Sequence, residues 1–399
     1  MESGQAHTVT HRAKWVIADS RTVIENGYVQ LKDGVIQSIG GANSADAGTV
    51  IDHGSGVLMP ALVNVHTHLE LSALAGKVDF GHGFANWVRQ LIALREQTGR
   101  DALLAGTHNA IRTMLSSGTG LVGEISTTGL TRKLFWQSEL KGIWFHEKLG
   151  NQPDEPFPVQ PDLLPTKDHK RCSFAGHAPH TTNPALLVRL KNMTRIRRSP
   201  FSIHLAESRD ECEFLKTGKG AWAEFLMERG IDFSTWGLPV SSPVQYLKRL
   251  GILGPNSIAV HVIRVDREDL QILRESNTHV CLCLRSNQNL HDRLPDLNTI
   301  MQSGIRPCLG TDSLAGTGSL NMFDEMAFVA ACFPGLAPKK IFSMATVNGA
   351  GALGMEHTFG TLMPGKIGPM IYVPVNAVTV ASLLEKLIHA DFSGFCERL

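Results

Sequence analysis

The chain has 399 residues, 43% of them apolar, enough for one large core with a smaller appended domain and too apolar for a disordered polypeptide. A net charge of +1 argues against a surface built for nucleic acid, and no apolar run approaches the roughly 20 residues that span a bilayer. The polar opening Met1-Glu2-Ser3-Gly4-Gln5 lacks a signal-peptide segment, and seven scattered cysteines without zinc-finger spacing read as reduced thiols, so a cytoplasmic location is expected.

From about His7 to His53 the pattern is one of short strands and turns. Gly27–Leu31 and Val35–Ile39 flank Lys32-Asp33-Gly34, a hairpin signal. Eight strands are then predicted: Val57–His66, Gly120–Ile125, Gly142–His146, Ser173–His177, Phe201–His204, Ile258–His261, His279–Leu284 and Pro307–Leu309. Helical stripes lie between them, as at Phe84, Trp87, Val88, Leu91 and Ile92. The Pro-rich stretch Pro153–Pro165 is expected as a long loop after the third strand. The basic cluster Arg195-Ile196-Arg197-Arg198 reads as a solvated helix end or loop. Near the C-terminus, Gly360–Lys366 precedes a strand at Met370–Val375. These elements predict an α/β fold: a (β/α)8 TIM barrel over 57–355, with a small β-sandwich domain built from 1–56 and from 356–399, the latter including a terminal helix.

The polar residues of interest fall at the predicted strand ends, where barrel chemistry sits. His66-Thr67-His68 ends the first strand with two imidazoles at i, i+2, a spacing that turns both to one side. His204-Leu205-Ala206-Glu207 closes the fifth strand, His261 the sixth, Arg285-Ser286-Asn287 follows the seventh, and Thr311-Asp312-Ser313 follows the eighth. His66, His68, His204 and Asp312 are the candidate ligands of one divalent metal ion, which would lower the pKa of a bound water and supply hydroxide. Asp312 has a second oxygen to accept a proton from that water. His261 would stabilise developing charge, and Glu207 would carry a proton from water to a ring nitrogen. Each has a plain alternative: Glu207 as a helix-start acid, His261 as a core histidine, Asp312 as a cap.

The order HxH, HxxE, H, D resembles that of the amidohydrolase superfamily, in its cytosine/guanine/adenosine-type aminohydrolase branch. The resemblance runs over nearly the whole length. It includes the Lys32–Ile36 hairpin, Pro60-Ala61-Leu62-Val63-Asn64-Val65-His66-Thr67-His68, Thr311-Asp312-Ser313 and Ala345–Gly354. It implies a deaminase with one zinc or iron ion. Binuclear relatives carry a lysine at the fourth strand; here that strand ends in His177. Ala61, Leu284 and Ile367-Gly368-Pro369 depart from the common pattern, and none is a candidate ligand.

His66–Ser72, the Trp87 helix and Leu284–Asn287 further resemble the aminodeoxyfutalosine deaminases. This implies a small-molecule substrate, a heterocycle or nucleoside, and specifically an adenine nucleoside carrying an aromatic carboxylate. Arg285 would then pair with the carboxylate or form a structural ion pair. Trp87 would stack on the purine or fill the core, Glu70 would bind a ribose hydroxyl or a nearby cation, and His177 would contact the ligand or the water. Glu124, Glu147 and His180 receive no role. S-Adenosylhomocysteine, methylthioadenosine, another aminated heterocycle or a chloro-triazine are the alternative substrates, and a non-catalytic scaffold is the alternative of another class. A homodimer is compatible with the resemblance; no nucleic acid or membrane partner is expected.

Overall fold

The computed structural model describes residues 8–41, 48–81, 83–151, 169–389 and 396–399. The expected Pro153–Pro165 loop lies outside the described residues, as does His7. Strands β1 (Thr8–Ile17), β2 (Val23–Lys32), β3 (Val35–Gly41), β4 (Thr49–Asp52) and β5 (Val57–Pro60) come first. Eight strands then pair in series, each parallel to the next: β6 (Leu62–Thr67), β7 (Thr119–Ser126), β8 (Lys141–Lys148), β9 (Lys170–Gly176), β10 (Phe201–Leu205), β11 (Ser257–His261), β12 (His279–Leu282) and β13 (Cys308–Leu309). Strands β14 (Met370–Val373) and β15 (Glu397–Arg398) return to the first sheet.

The eight parallel strands form the expected barrel. Crossover helices cover them outside, so their residues are buried on both faces, as the all-buried β7 illustrates. Val63, Val65, Leu121, Ile125, Phe145 and Val260 belong to one apolar cluster drawn from most of the strands, which fills the barrel as packed core. The last strand is only two residues long, and a substitute closes the seam beyond it. The amides of Thr311 and Asp312 both donate to the carbonyl of His66, at 3.1 and 2.9 Å. Asn64 receives the Thr311 amide at 3.0 Å and donates to Thr311 Oγ1 at 2.8 Å. Gly310 makes this approach feasible, because a Cβ there would lie 2.9 Å from His66 backbone and side-chain atoms. The same closure brings Asp312 beside the HxH strand.

The run Val57–His66, expected as one strand, is two strands in two sheets. Ala61 donates its amide to Pro369, directly before β14 of the small sheet, and Leu62 donates to Gly118, directly before β7 of the barrel. Strand β5 pairs parallel with Trp15-Val16 of β1 and antiparallel with β14. A continuous apolar run carries no mark of such a change of sheet, since both sheets bury both faces there. The small domain also differs from the expected sandwich: its strands form one mixed seven-stranded sheet. Its period-two alternation serves two cores. Trp15, Val57, Met59, Ile371 and Val373 join the large core, while Val16, Leu58 and Met370 join a smaller cluster. The expected hairpin is present, with Asp33 at φ 51° and Gly34 at φ 78°, the left-handed pair that a two-residue turn demands. The terminal helix, Val380–His389, buries Leu383, Leu387 and Ile388 in the large core. No helix among the described residues is long and apolar enough to cross a membrane.

Four non-glycine residues with left-handed backbone lie at or just past barrel strand ends: Ala206 at φ 52°, His261 at 75°, Val262 at 50° and Asp312 at 62°. Such conformations cost of order 1–3 kcal/mol each and persist where surrounding structure enforces them. Here they end the pleat of β10, β11 and β13 and aim the following side chains at the barrel mouth.

Candidate active site

Three imidazoles and one carboxylate converge at the C-terminal ends of β6, β10 and β13. Nε2 of His66 lies 3.1 Å from Nε2 of His68 and 3.1 Å from Nε2 of His204. Asp312 Oδ1 sits 3.7 Å from the first of these nitrogens and 3.6 Å from the second. Burial holds His204 well below the ordinary histidine range and pushes His66 down to about 4, so both rings are neutral at physiological pH. Nδ1 of His204 lies 2.8 Å from the carbonyl oxygen of His177. That nitrogen must therefore carry the proton and donate it, which leaves the lone pair of Nε2 facing the other two rings. A zinc ion at 2.0–2.1 Å from two tetrahedral nitrogens would hold them about 3.4 Å apart. The donor set fits one divalent ion.

The residues that handle protons surround this centre. Asp312 resists the effect of its own burial: the His66 hydrogen bond and the charges of His68 and His261 hold it well below the usual carboxylate range. Its second oxygen, expected to be available, accepts the Ser286 hydroxyl at 2.5 Å. His261 donates Nδ1–H to Asn287 Oδ1 at 2.7 Å, and its Nε2 lies 3.7 Å from Glu207 Oε1. Glu207 is buried, which alone would raise its pKa; the charge of His261 and a hydrogen bond from His291 bring it down to about 2. Glu207 is thus an ionised acceptor at neutral pH.

Two buried glutamates hold the backbone under these groups. Glu211 accepts the amides of Ala206 and Glu207 at 2.9 and 2.7 Å, and burial pushes its pKa up to about 8. Glu325 accepts the amide of Leu284 at 2.6 Å. Glu211 was legible as the fourth residue of a Ser208-x-x-Glu211 capping box, in which Ser208 Oγ accepts the Glu211 amide. No sequence signal singles out Glu325.

The site opens into a cavity of about 160 Å³. His68, Glu147, His177, Glu207, His261 and Asp312 line it, together with the apolar side chains of Trp87, Trp222, Phe84, Phe225, Val88 and Ile92. Trp87 packs with Leu91 and Leu103, as a core residue would, and also lines the cavity. Arg95, which no sequence motif marks, is the one permanently charged cation among the lining residues. It makes no side-chain hydrogen bond or ion pair among the described residues.

Two expected substrate contacts are corrected. Arg285 does not line the cavity; its guanidinium donates to the carbonyls of Thr317 (3.1 Å) and Ser319 (3.4 Å) and lies 3.8 Å from Asp324. Glu70 lines the cavity, but its oxygens are occupied by Ser126 Oγ, the amides of Thr127 and Thr128, and Thr128 Oγ1. Those four donors fill the lone pairs of a carboxylate. Glu70 instead ties the turn after His68 to the loop after β7. Glu124 does similar work, accepting the Leu69 amide at 3.0 Å and the Thr131 hydroxyl at 2.7 Å. Glu70→Ala should therefore cost about 2–4 kcal/mol of stability by stranding buried donors. Thermal unfolding measures this; unchanged stability with a raised KM would return Glu70 to the substrate.

Glu147 accepts Thr127 Oγ1 at 2.7 Å and keeps its other oxygen 4.0 Å from His204 Nδ1. With His177 and His204 it forms a second group of metal-type donors. The His204 nitrogen on that side already donates to His177, so this group supports the first centre rather than forming another cage. His180 is buried against Trp222, with ring centroids 4.4 Å apart and neither nitrogen bonded.

The profile of the amidohydrolase family matches residues 57–388. The chain belongs to the amidohydrolase family. It is a hydrolase of carbon–nitrogen bonds. Among its relatives, a 5-methylthioadenosine/S-adenosylhomocysteine deaminase of Syntrophobacter fumaroxidans is 28% identical over 392 residues, covering 92% of this chain and 84% of that one. A 5'-deoxyadenosine deaminase of Methanosarcina mazei is 28% identical over 391 residues, covering 93% and 85%. In fold, the chain matches Helicobacter pylori aminofutalosine deaminase with a TM-score of 0.83 at 23% identity, over 96% of each chain.

Proposed function

We propose that this protein is a metal-dependent aminohydrolase that replaces the 6-amino group of an adenine nucleoside with oxygen and releases ammonia. Its preferred substrate is aminodeoxyfutalosine, an adenine nucleoside with an aromatic carboxylate beyond the sugar. One observation carries the substrate reading: the cavity that the histidine cluster lines also has a large apolar lining, and a single unpaired guanidinium, Arg95, belongs to the same lining. An aromatic group suits the apolar lining, and a carboxylate suits Arg95. The nucleoside deaminases among the relatives support the same chemistry.

The mechanism follows from the geometry. His66, His68, His204 and Asp312 would hold one divalent ion, zinc or iron, since imidazole and carboxylate suit both. When bound, that ion supplies the Lewis acidity that makes water nucleophilic near neutral pH. Glu207 takes a proton from the attacking water and gives it to the ring nitrogen beside the amino carbon, which makes that carbon electrophilic. His261, held by Asn287, stabilises the charge that develops on the oxygen. Asp312 passes the second water proton towards the departing amine, so ammonia leaves as the carbonyl forms. Ser286 keeps the Asp312 carboxylate oriented for this transfer.

Ammonia release across aminodeoxyfutalosine, S-adenosylhomocysteine, methylthioadenosine and 5'-deoxyadenosine tests the reading. The highest kcat/KM is expected for aminodeoxyfutalosine; a preference for methylthioadenosine would reject the carboxylate. Arg95→Met should raise KM for aminodeoxyfutalosine roughly 10- to 100-fold, the worth of a charge-assisted contact, and leave that for methylthioadenosine within about threefold. Equal effects on both substrates would remove Arg95 from carboxylate recognition.

A further inference from the structure

One short helix, Leu284–His291, touches all three groups that handle protons. Ser286 holds Asp312 at 2.5 Å, Asn287 holds His261 at 2.7 Å, and Nε2 of His291 lies 3.0 Å from Glu207 Oε1. Asn287 and His291 are four residues apart and share a helix face. Both ends of the helix are pinned. Glu325 accepts the amides of Leu284 and Arg285, and the Gln288 carbonyl receives the amide of Asp292, whose left-handed backbone ends the helix directly after His291. The His291 side chain is 4% exposed and packs beneath Phe84, with ring centroids 4.6 Å apart. Ser286 and Asn287 belong to the motif read from the sequence; His291 lies beyond it.

We propose that His291 is a positioning residue for Glu207. It donates Nε2–H to Oε1 and fixes the carboxylate plane. His261 faces that same oxygen, so the interactions on this side leave Oε2 to receive the water proton and deliver it to the substrate. A carboxylate free to rotate about its last bond would present either oxygen at variable distance, and proton transfer is sensitive to such displacement. His291 contacts the carrier and does not line the cavity, so it acts on turnover rather than on binding. This inference rests on the aminohydrolase reading above.

The test uses His291→Phe and His291→Gln, each in the native chain and together with Glu207→Gln. In the native chain, His291→Phe should lower kcat about 30- to 100-fold, with KM within about threefold and metal content unchanged. His291→Gln keeps an N–H donor and should recover at least about tenfold of that loss. With Glu207→Gln already present, His291→Phe should change kcat by less than about twofold, because the group it positions no longer carries a proton. A purely structural role predicts equal losses in both backgrounds and no rescue by glutamine; that result, or full activity of His291→Phe, overturns the inference. A native protein that releases no ammonia from any adenine nucleoside overturns the aminohydrolase reading itself, and with it this inference.

Discussion

Glu207→Gln is expected to keep its metal and lose turnover by roughly 10²–10⁴, the range that a positioned acid–base contributes. The amide is nearly the size of the carboxylate, and its oxygen can still accept from His291. The backbone at residue 207 is held independently by Glu211. What the amide cannot do is take a proton from water and pass it on. The ring nitrogen then stays neutral, and the amino carbon remains a poor electrophile. Metal analysis with steady-state kinetics separates the effects: metal near one ion per chain, KM near native, kcat collapsed. Near-native kcat would remove Glu207 from the mechanism.

Asp312→Ala is expected to be as severe and to act earlier, on the centre itself. Among the described residues, Asp312 is the one carboxylate against the His66–His68 pair, at 3.7 and 3.6 Å. Its loss removes an anionic ligand and leaves Ser286 with a buried hydroxyl and no acceptor. Metal occupancy at a fixed chelator concentration should fall at least about tenfold, and kcat/KM by more than the occupancy alone accounts for, because the same residue moves a proton. Unchanged occupancy would reject Asp312 as a ligand, while lost occupancy with full activity on metal saturation would limit it to that role.

The centre was legible in the sequence because barrel chemistry sits at strand ends, and strand ends can be read from apolar runs that stop at polar residues. His66, His68, His204, His261 and Asp312 all follow such runs, and the structure brings them together. Direction was harder to read. Glu70 and Arg285 have the right charge at suitable positions, yet Glu70 turns to the donors around Thr128 and Arg285 turns to the carbonyls of Thr317 and Ser319. Arg95 stayed hidden because it looks like an ordinary charged residue in the last turn of an amphipathic helix, a place that suits any cation. His291 stayed hidden because its partner lies 84 positions away in the chain. The change of sheet at Ala61 left no trace, because both flanking strands are equally apolar.

The most direct test of the account is the fate of oxygen and nitrogen during turnover of an adenine nucleoside by metal-loaded protein in oxygen-18 water. One labelled oxygen at the former amino carbon is expected, with one ammonia per product, loss of both on chelation and recovery on adding metal back. Product without solvent oxygen, or turnover that persists in metal-free protein, would contradict it.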